Sequence, residues 1–101
     1  MLNNIILVGR VTQQPTPVTK TLKIATQRSY KNPNTDTYDT DFFNITLSND
    51  ILETAINYLK KGDMVGVKGH LETTSNYLTN EKEIKIICDR LTFLSQSKGE
   101  N

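Results

Sequence analysis

The segment FFNITLSNDILETAINYLKKG, residues 42–62, decides the fold because its hydrophobic period changes partway along it. Phe43, Ile45 and Leu47 alternate with polar residues, as in a β-strand with one buried face. The apolar residues that follow have the i, i+3, i+4, i+7 spacing of an amphipathic helix, and they are Leu52, Ala55, Ile56 and Leu59. We therefore predict a strand that leads directly into a helix.

The two ends of this helix also carry signals. Asp50 with Glu53 marks its start, because acidic side chains stabilise the first turn. Lys60 and Lys61 suit its negative C-terminal end, and Gly62 can adopt the left-handed conformation that stops a helix. A helix of about eleven residues depends on tertiary packing, so we expect its apolar face to cover a core.

Further strands are predicted on both sides of this segment. They are runs of alternating or continuous apolar residues, at residues 3–12, 22–27, 65–71 and 84–94. Gly9 is predicted as a bulge or bend and Gly69 as a bend. Turn-forming residues predict connections at residues 13–19, a polar loop at 31–41 and a hairpin tip at 79–81.

Five strands with one helix between the third and the fourth predict an all-β fold. This order fits a small five-stranded Greek-key barrel, the oligonucleotide-binding (OB) fold, better than a sandwich or a helical bundle. The 101 residues suffice for one domain. We assign residues 1–95 to the barrel and residues 96–101 to a short disordered tail. The core is thin, and oligomerisation would complete it.

Composition and residue types argue against several classes of protein. The net charge of +1 does not by itself indicate an anionic partner, although cations on one face can still bind one. A single cysteine, Cys88, excludes an internal disulfide and favours the cytoplasm. Residues 1–8 are too short for a membrane span and lack a targeting signal.

No catalytic or metal-binding constellation is present in the sequence. His70 is the single histidine, and with one cysteine it cannot supply a metal site. The carboxylates at residues 36, 39 and 41 lack the glycine and the spaced glutamate of a calcium loop. There is also no phosphate-cradling glycine motif. We therefore expect no cofactor and no enzymatic activity.

Six segments, in the same order along nearly the whole chain, resemble the bacterial single-stranded DNA-binding protein family. They are NNIILVGR (residues 3–10), LKIAT (22–26), DFFNITL (41–47), AINYLKKGD (55–63), VGVKGHL (65–71) and IICDRLTFL (86–94). The resemblance implies sequence-independent binding of single-stranded DNA in replication, recombination or repair. It also implies a bacterial cytoplasmic or nucleoid protein that forms a homotetramer built from dimers, with the first strand as the pairing edge and a dimer as the alternative.

The resemblance also implies which aromatic side chains stack on bases. Tyr30 and Phe42 fall on two stacking positions of the family. A third position falls on Asn76, with Tyr77 next to it, so a shift of one residue restores the match. The family phenylalanine on the third strand corresponds to Ser48, and that stacking side chain is absent.

Strand alternation gives an independent expectation for the aromatic residues. Phe42 lies on the wet face of its strand, where a large apolar ring has no packing role. Alternation places Tyr30 on the core side, and only a bulge or a strand end would release it. Tyr38 is a weaker candidate in the predicted loop, whereas Tyr58 and Phe93 are expected to be packed.

Seven cations are candidate phosphate contacts, against the alternative of an ordinary solvated surface: Arg10, Lys23, Arg28, Lys31, Lys61, Lys68 and Lys85. Arg10 and Arg28 are favoured because a guanidinium both pairs with phosphate and stacks on bases. The seven cations, together with Tyr30, Phe42 and Tyr77, define a predicted DNA path between residues 31–41 and residues 73–83.

Two further departures from the family pattern lower the affinity for DNA that we expect. Residues 72–75 carry no positive charge, and the chain ends at Asn101 without the linker and acidic tip through which full-length members recruit other enzymes. Replication partners that depend on such a tail are therefore not expected. A shortened accessory, plasmid or phage-type member, or an isolated binding domain, would have this form. The near-zero net charge and the missing aromatic side chains favour a rival function, a protein-interaction OB module, which would be a primosome or replication accessory with a reduced nucleic-acid groove.

Overall fold

The structure is a computed structural model that describes residues 1–95 of the chain. Over these residues the elements are β1 (Ile5–Gln13), β2 (Thr21–Asn32), β3 (Thr37–Thr46), α1 (Asn49–Tyr58), β4 (Met64–Asn76) and β5 (Glu81–Ser95). The strands close into a barrel in the order β1-β2-β3-β5-β4. The β3–β5 pairing is parallel and the other pairings are antiparallel. This is the predicted five-stranded OB barrel, with its helix between β3 and β4. The predicted tail, residues 96–101, lies outside the described residues.

The core is built from the inward-facing positions of the strands and one face of α1. Leu22, Ile24 and Ile45 are completely buried because successive strand residues point to opposite faces. The helix adds Leu52, Ala55 and Leu59 to this core. Ile56, predicted on the apolar face of the helix, is exposed instead, and so is Leu71 on β4. Ile56 lies at the edge of the apolar helix face, and Leu71 follows a register shift in the β4–β5 pairing.

Glycines allow two close approaches between strands. At Gly69, where the β4–β5 register shifts, a Cβ atom would overlap the carbonyl oxygen of Ile87. This supports the predicted bend. At Gly9 a Cβ would lie 2.7 Å from the carbonyl oxygen of Ala25. Gly9 therefore permits close packing of β2. Of the predicted bulge or bend, the bulge is not at Gly9, because the β1–β2 register breaks between Val11 and Gln13.

Residues 31–41 do not form the predicted polar loop. β2 continues to Asn32 and β3 begins at Thr37, so residues 33–36 alone form the turn. Asn32 closes this turn by accepting the N–H of Asn34 with its side chain and the N–H of Asp36 with its carbonyl. The hairpin extends past the core, where both of its faces are wet, and its polar composition therefore resembles that of a loop. β4 and β5 likewise extend to Asn76 and Glu81, with the tip at residues 77–80.

α1 begins and ends slightly differently from the prediction. Its N-cap is Ser48, whose side chain makes no capping hydrogen bond within the described residues. Lys60 and Lys61 lie beyond the last turn and do not contribute to it. Gly62 does adopt a positive φ, of 98°. Its N–H donates to the Val11 carbonyl and Val11 N–H donates to the Asp63 carbonyl, which ties this turn to β1. Among residues 1–95, no helix has the length and hydropathy that a membrane crossing requires.

Candidate nucleic-acid interface

The outer face of β1, β2 and β3 carries an exposed aromatic ring beside cations. Because Phe43 and Ile45 turn toward the core, their neighbour Phe42 turns outward, and it is 60% exposed. Phe42 pairs with Ala25, which pairs in turn with Arg10, so these residues form one row across the three strands. The predicted exposure of Phe42 is therefore confirmed. We call this surface the β1–β3 face.

A groove of about 450 Å³ crosses the β1–β3 face next to this row. Lys23 and Asn44, a cross-strand pair, line one side of the groove, while Glu83 and Lys85 of β5 line the other. Lys23 and Lys85, two predicted phosphate contacts, thus come together from strands far apart in sequence. The groove lies at the base of the β4–β5 hairpin, and it includes Glu83 from the end of the predicted DNA path between residues 31–41 and 73–83.

Tyr30 lies in an irregular part of β2 beyond the core, where residues 27–31 are all exposed. Gln27 pairs with Thr40 and Lys31 with Tyr38, so four residue steps of β2 oppose two of β3. The extra residues form a bulge that includes Tyr30, which is 61% exposed. Sequence alternation alone directed this side chain to the core, and the bulge is the condition under which we expected its release.

Tyr38 is a candidate that the sequence reasoning underrated. It is 46% exposed, and it shares the outward face of β3 with Thr40 and Phe42. Lys31 Nζ lies 5.8 Å from the centre of its ring, within cation–π range. Four residues of strand place Tyr38 about 13 Å from Phe42. Extending the alternation of Phe42 back to residue 38 would have identified it.

The two candidate arginines are held by groups of the protein. Arg10 Nη1 donates to the Gly62 carbonyl at 2.8 Å, although the side chain remains exposed. Arg28 forms a two-pronged pair with Asp41, with Nε to Oδ2 at 2.9 Å and Nη2 to Oδ1 at 3.0 Å. These hydrogen bonds raise the pKa of Arg28 and lower the pKa of Asp41. Both side chains are therefore charged at neutral pH.

The other predicted contacts lie away from the groove. Lys61 follows α1, and Lys68 pairs with Ile6 and Arg90 on the β1–β4–β5 side of the barrel. Tyr77 is 94% exposed at the tip of the β4–β5 hairpin. The residues that the structure does bring together on or beside the β1–β3 face are Arg10, Lys23, Lys31, Tyr38, Phe42 and Lys85, while Tyr30 lies in the bulge of β2. Tyr58 and Phe93 were predicted to be packed, and both are exposed.

His70 and Cys88 occupy structural positions. His70 Nδ1 lies 2.9 Å from Asp89 Oδ2, and its Nε2 lies 2.7 Å from Glu72 Oε2. These two hydrogen bonds raise the pKa of His70. Burial raises the pKa of the Cys88 thiol to about 11, so the thiol stays protonated at neutral pH. Within residues 1–95, no group of three His, Cys, Asp or Glu side chains is placed to hold a metal ion.

A five-stranded OB barrel with aromatic and cationic side chains on the outer face of its second and third strands defines a class of oligonucleotide-binding barrels. Residues 2–94 match the single-strand binding protein family, and the chain belongs to that family. This confirms the resemblance found in the six sequence segments, and membership of a binding family agrees with the expected absence of enzymatic activity.

Relatives and a solved structure extend this match. The chain is 31% identical to the single-stranded DNA-binding protein of Enterococcus faecalis, over 99% of the chain and 58% of that protein. It is 32% identical to single-stranded DNA-binding protein 2 of Listeria monocytogenes, over 100% of the chain and 68% of that protein. It therefore spans about three fifths to two thirds of the length of these relatives. A structure described as Plasmodium falciparum SSB complex with ssDNA superposes with a TM-score of 0.74 at 28% identity, covering 94% of this chain and 96% of the other.

Proposed function

We propose that the chain binds single-stranded DNA without sequence preference along the β1–β3 face. The observation that carries this proposal is Phe42, an exposed ring in one row with Arg10 and beside Lys23, in a chain of the single-strand binding protein family. A base that stacks on an aromatic side chain gains about 1–3 kcal/mol, and any base can do so because every base has a π-face. The role that follows is the protection of single strands in replication, recombination or repair.

The contacts divide between rings and cations. Phe42 and Tyr30 stack bases, and Tyr38 extends the same surface. Lys23 and Lys85 pair with phosphates in the groove, Arg10 and Lys31 pair with phosphates outside it, and Arg28 stays a predicted phosphate contact. Lys61, Lys68 and Tyr77 lie farther out, where they contact a strand long enough to pass around the barrel.

The assembly we propose is a homotetramer of dimers, with a dimer as the alternative. Support comes from β1. Its residues 5–9 pair with β4 but not with β2, because the β1–β2 register begins at Arg10. One edge of that segment is therefore open to a second β1. Ile6 and Val8, which are exposed on it, supply apolar surface for the contact. Light scattering measures the mass of the assembly, and a monomer would contradict the proposal. We place the protein in the bacterial cytoplasm or nucleoid.

Titration with fluorescently labelled oligo(dT), followed by anisotropy at several salt concentrations, tests the binding function. We expect binding that weakens with salt, with a slope in log–log form near 0.7 for each phosphate contact. A mixed-sequence oligonucleotide of equal length should bind comparably, whereas the same sequence as a duplex should bind more weakly.

A second candidate function is a protein-interaction module. It is favoured by the β4–β5 hairpin tip, where Tyr77 and the adjacent Leu78 are almost fully exposed. Exposed apolar side chains of this kind are more typical of a protein contact than of a phosphate-binding surface. No binding of oligo(dT) even at low salt would contradict the DNA-binding proposal and favour this alternative.

A further inference from the structure

A second cavity opens on the β1–β3 face where β1 and β2 separate. The β1–β2 register reaches the Arg10–Ala25 pair, beyond which β1 pairs with β4 and β2 pairs with β3. Two residues farther on, Val8 and Gln27 would be the next outward pair, but the strands no longer pair there. A cavity of about 340 Å³ lies at this separation. We call it the β1–β2 cleft, and it is lined by Val8, Gly9, Arg10, Ala25, Thr26, Gln27, Thr40 and Met64.

The β1–β2 cleft and the groove lie on opposite sides of Phe42. Thr40, Phe42 and Asn44 follow one another on the outward side of β3, where all three are exposed. Thr40 lines the cleft and Asn44 lines the groove. Each lies two residues, about 7 Å, from Phe42 along the strand. The exposed ring therefore stands between two cavities of one surface.

The side chains of the β1–β2 cleft suit a nucleotide. Arg10 is the one charged residue that lines it, and no carboxylate opposes this cation there. Nη1 of Arg10 donates to the Gly62 carbonyl, which fixes the guanidinium and leaves its other N–H groups for a phosphate. Val8 adds an exposed apolar side chain. Gln27 and Thr40, a cross-strand pair, have no side-chain hydrogen bond within residues 1–95, and their amide and hydroxyl groups can both donate and accept.

We propose that the β1–β2 cleft is a second nucleotide-binding subsite, occupied by the nucleotide next to the one whose base stacks on Phe42. Arg10 pairs with its phosphate, Val8 packs against it, and Gln27 and Thr40 hydrogen-bond with the edge of its base. Because both of these polar groups donate as well as accept, the subsite takes any base. The inference rests on the proposed function and deepens it, since DNA then crosses the face from the groove, over Phe42, into the cleft.

A cysteine variant tests this subsite by blocking it. Cys88, the single cysteine of the chain, is buried and its pKa is raised, so a maleimide reacts selectively with a new exposed thiol. Gln27→Cys places that thiol in the cleft, and modification with N-ethylmaleimide fills the space. The modification should weaken oligo(dT) binding by roughly fivefold or more, the size of one lost base contact. It should also lower the salt slope by about 0.7, because the phosphate at Arg10 is lost with the base.

The converse measurement and a matched control use the same reagent. Saturating oligo(dT) should protect the thiol of Gln27→Cys from the maleimide. Asn57→Cys, at an exposed position on α1, should react equally fast with and without oligo(dT), and its modification should leave the affinity unchanged. Thermal melting shows whether each variant is folded. Thr40→Cys, which places the thiol on β3 in the same cleft, takes the place of Gln27→Cys if that variant unfolds.

Failure of this inference and failure of the proposed function give different results. If wild-type protein binds oligo(dT) but modification of Gln27→Cys changes neither affinity nor slope, DNA does not enter the cleft and the inference alone is wrong. Protection of the thiol by a higher protein concentration without DNA would overturn it too, because a second copy of the chain would then occupy the cleft. If wild-type protein fails to bind oligo(dT) at low salt, the proposed function fails, and the inference fails with it.

Discussion

Phe42 and Tyr30 reach solvent by different routes, and the difference shows what a sequence can indicate about a single residue. Phe42 is exposed because a regular strand alternates, and its neighbours Phe43 and Ile45 identify the buried face. Tyr30 is exposed because β2 runs past the core there, so that residues 27–31 are all exposed, and it lies in a bulge that depends on pairing with β3 and has no marker in the sequence of β2. Arg28 was chosen for its chemistry, but its partner Asp41 lies on another strand, so the pair became visible only after folding.

Phe42→Ala should weaken oligo(dT) binding by about 1–3 kcal/mol while the melting temperature stays near that of wild type, because the ring stacks on a base and does not pack in the core. Anisotropy titrations with circular dichroism melts measure both quantities. Tyr58→Ala, which removes an exposed ring from α1, is the control and should bind normally. A loss of stability with unchanged affinity per folded molecule would make Phe42 a structural residue.

Tyr38→Trp should create a fluorescent reporter, because the chain contains no tryptophan. If position 38 stacks on a base, oligo(dT) should quench the indole emission in a saturable way. Tyr58→Trp provides the matched control on α1, where emission should stay constant. Equal emission with and without bound oligonucleotide in the Tyr38→Trp protein would exclude this position from the site.

At the scale of elements, the sequence predicts regular structure best where one face is buried. The strand and helix in residues 42–62 were identified because their apolar periods differ. The outer halves of β2, β3, β4 and β5 form two-stranded hairpins with both faces in water, and no apolar period marks them. For this reason residues 31–41 resembled a loop, and the last strand was predicted to start at Ile84 although β5 starts at Glu81.

Gly69→Ala should destabilise the barrel by about 1–3 kcal/mol, because the new methyl group overlaps the backbone of β5 at Ile87. Gly66→Ala is the matched control on the same strand. Its Cβ would meet Leu94 and Thr92 side chains at 3.7 and 3.8 Å, which is ordinary contact. Urea unfolding should therefore show a large loss for the first variant and little change for the second. Equal losses would contradict the close approach at Gly69.

His70 should make the β4–β5 pairing more stable in acid than in base. Its pKa in the folded protein is raised above 6.5 by Asp89 and then Glu72. A raised pKa means that the stabilising contribution is complete below about pH 6.5 and is lost as the pH rises through the folded-state value. The melting temperatures of wild type and His70→Gln should therefore differ more at about pH 6 than at about pH 9. A difference that is independent of pH would contradict the charged triad.

At the scale of the whole molecule, strand order and helix position were enough to predict a closed OB barrel, because few topologies place one helix between the third and fourth of five strands. The charge balance of the β1–β3 face could not be predicted in the same way. Net charge is a sum over the chain, whereas the groove gathers Lys23 and Lys85 from strands that are distant in sequence.

Cys88 should report on opening of the barrel as a whole. The thiol is buried in the core, and its pKa is raised to about 11, so both access and reactivity are low in the folded protein. Labelling by a disulfide reagent should follow the same urea dependence as the unfolding measured by circular dichroism. Rapid labelling of folded protein would show that the core opens locally near β5.

The parallel β3–β5 contact has the shortest register of any strand pairing in the barrel among the described residues, with two residue pairs, Ile45–Ile86 and Thr46–Ile87. Thermal opening of the barrel should therefore begin at this contact between β3 and β5. The groove lies across the β3–β5 contact, with Asn44 and Thr46 of β3 on one side and Lys85 of β5 on the other. A strand of DNA bound in the groove would hold β3 and β5 together, so that DNA binding and closure of the barrel stabilise each other.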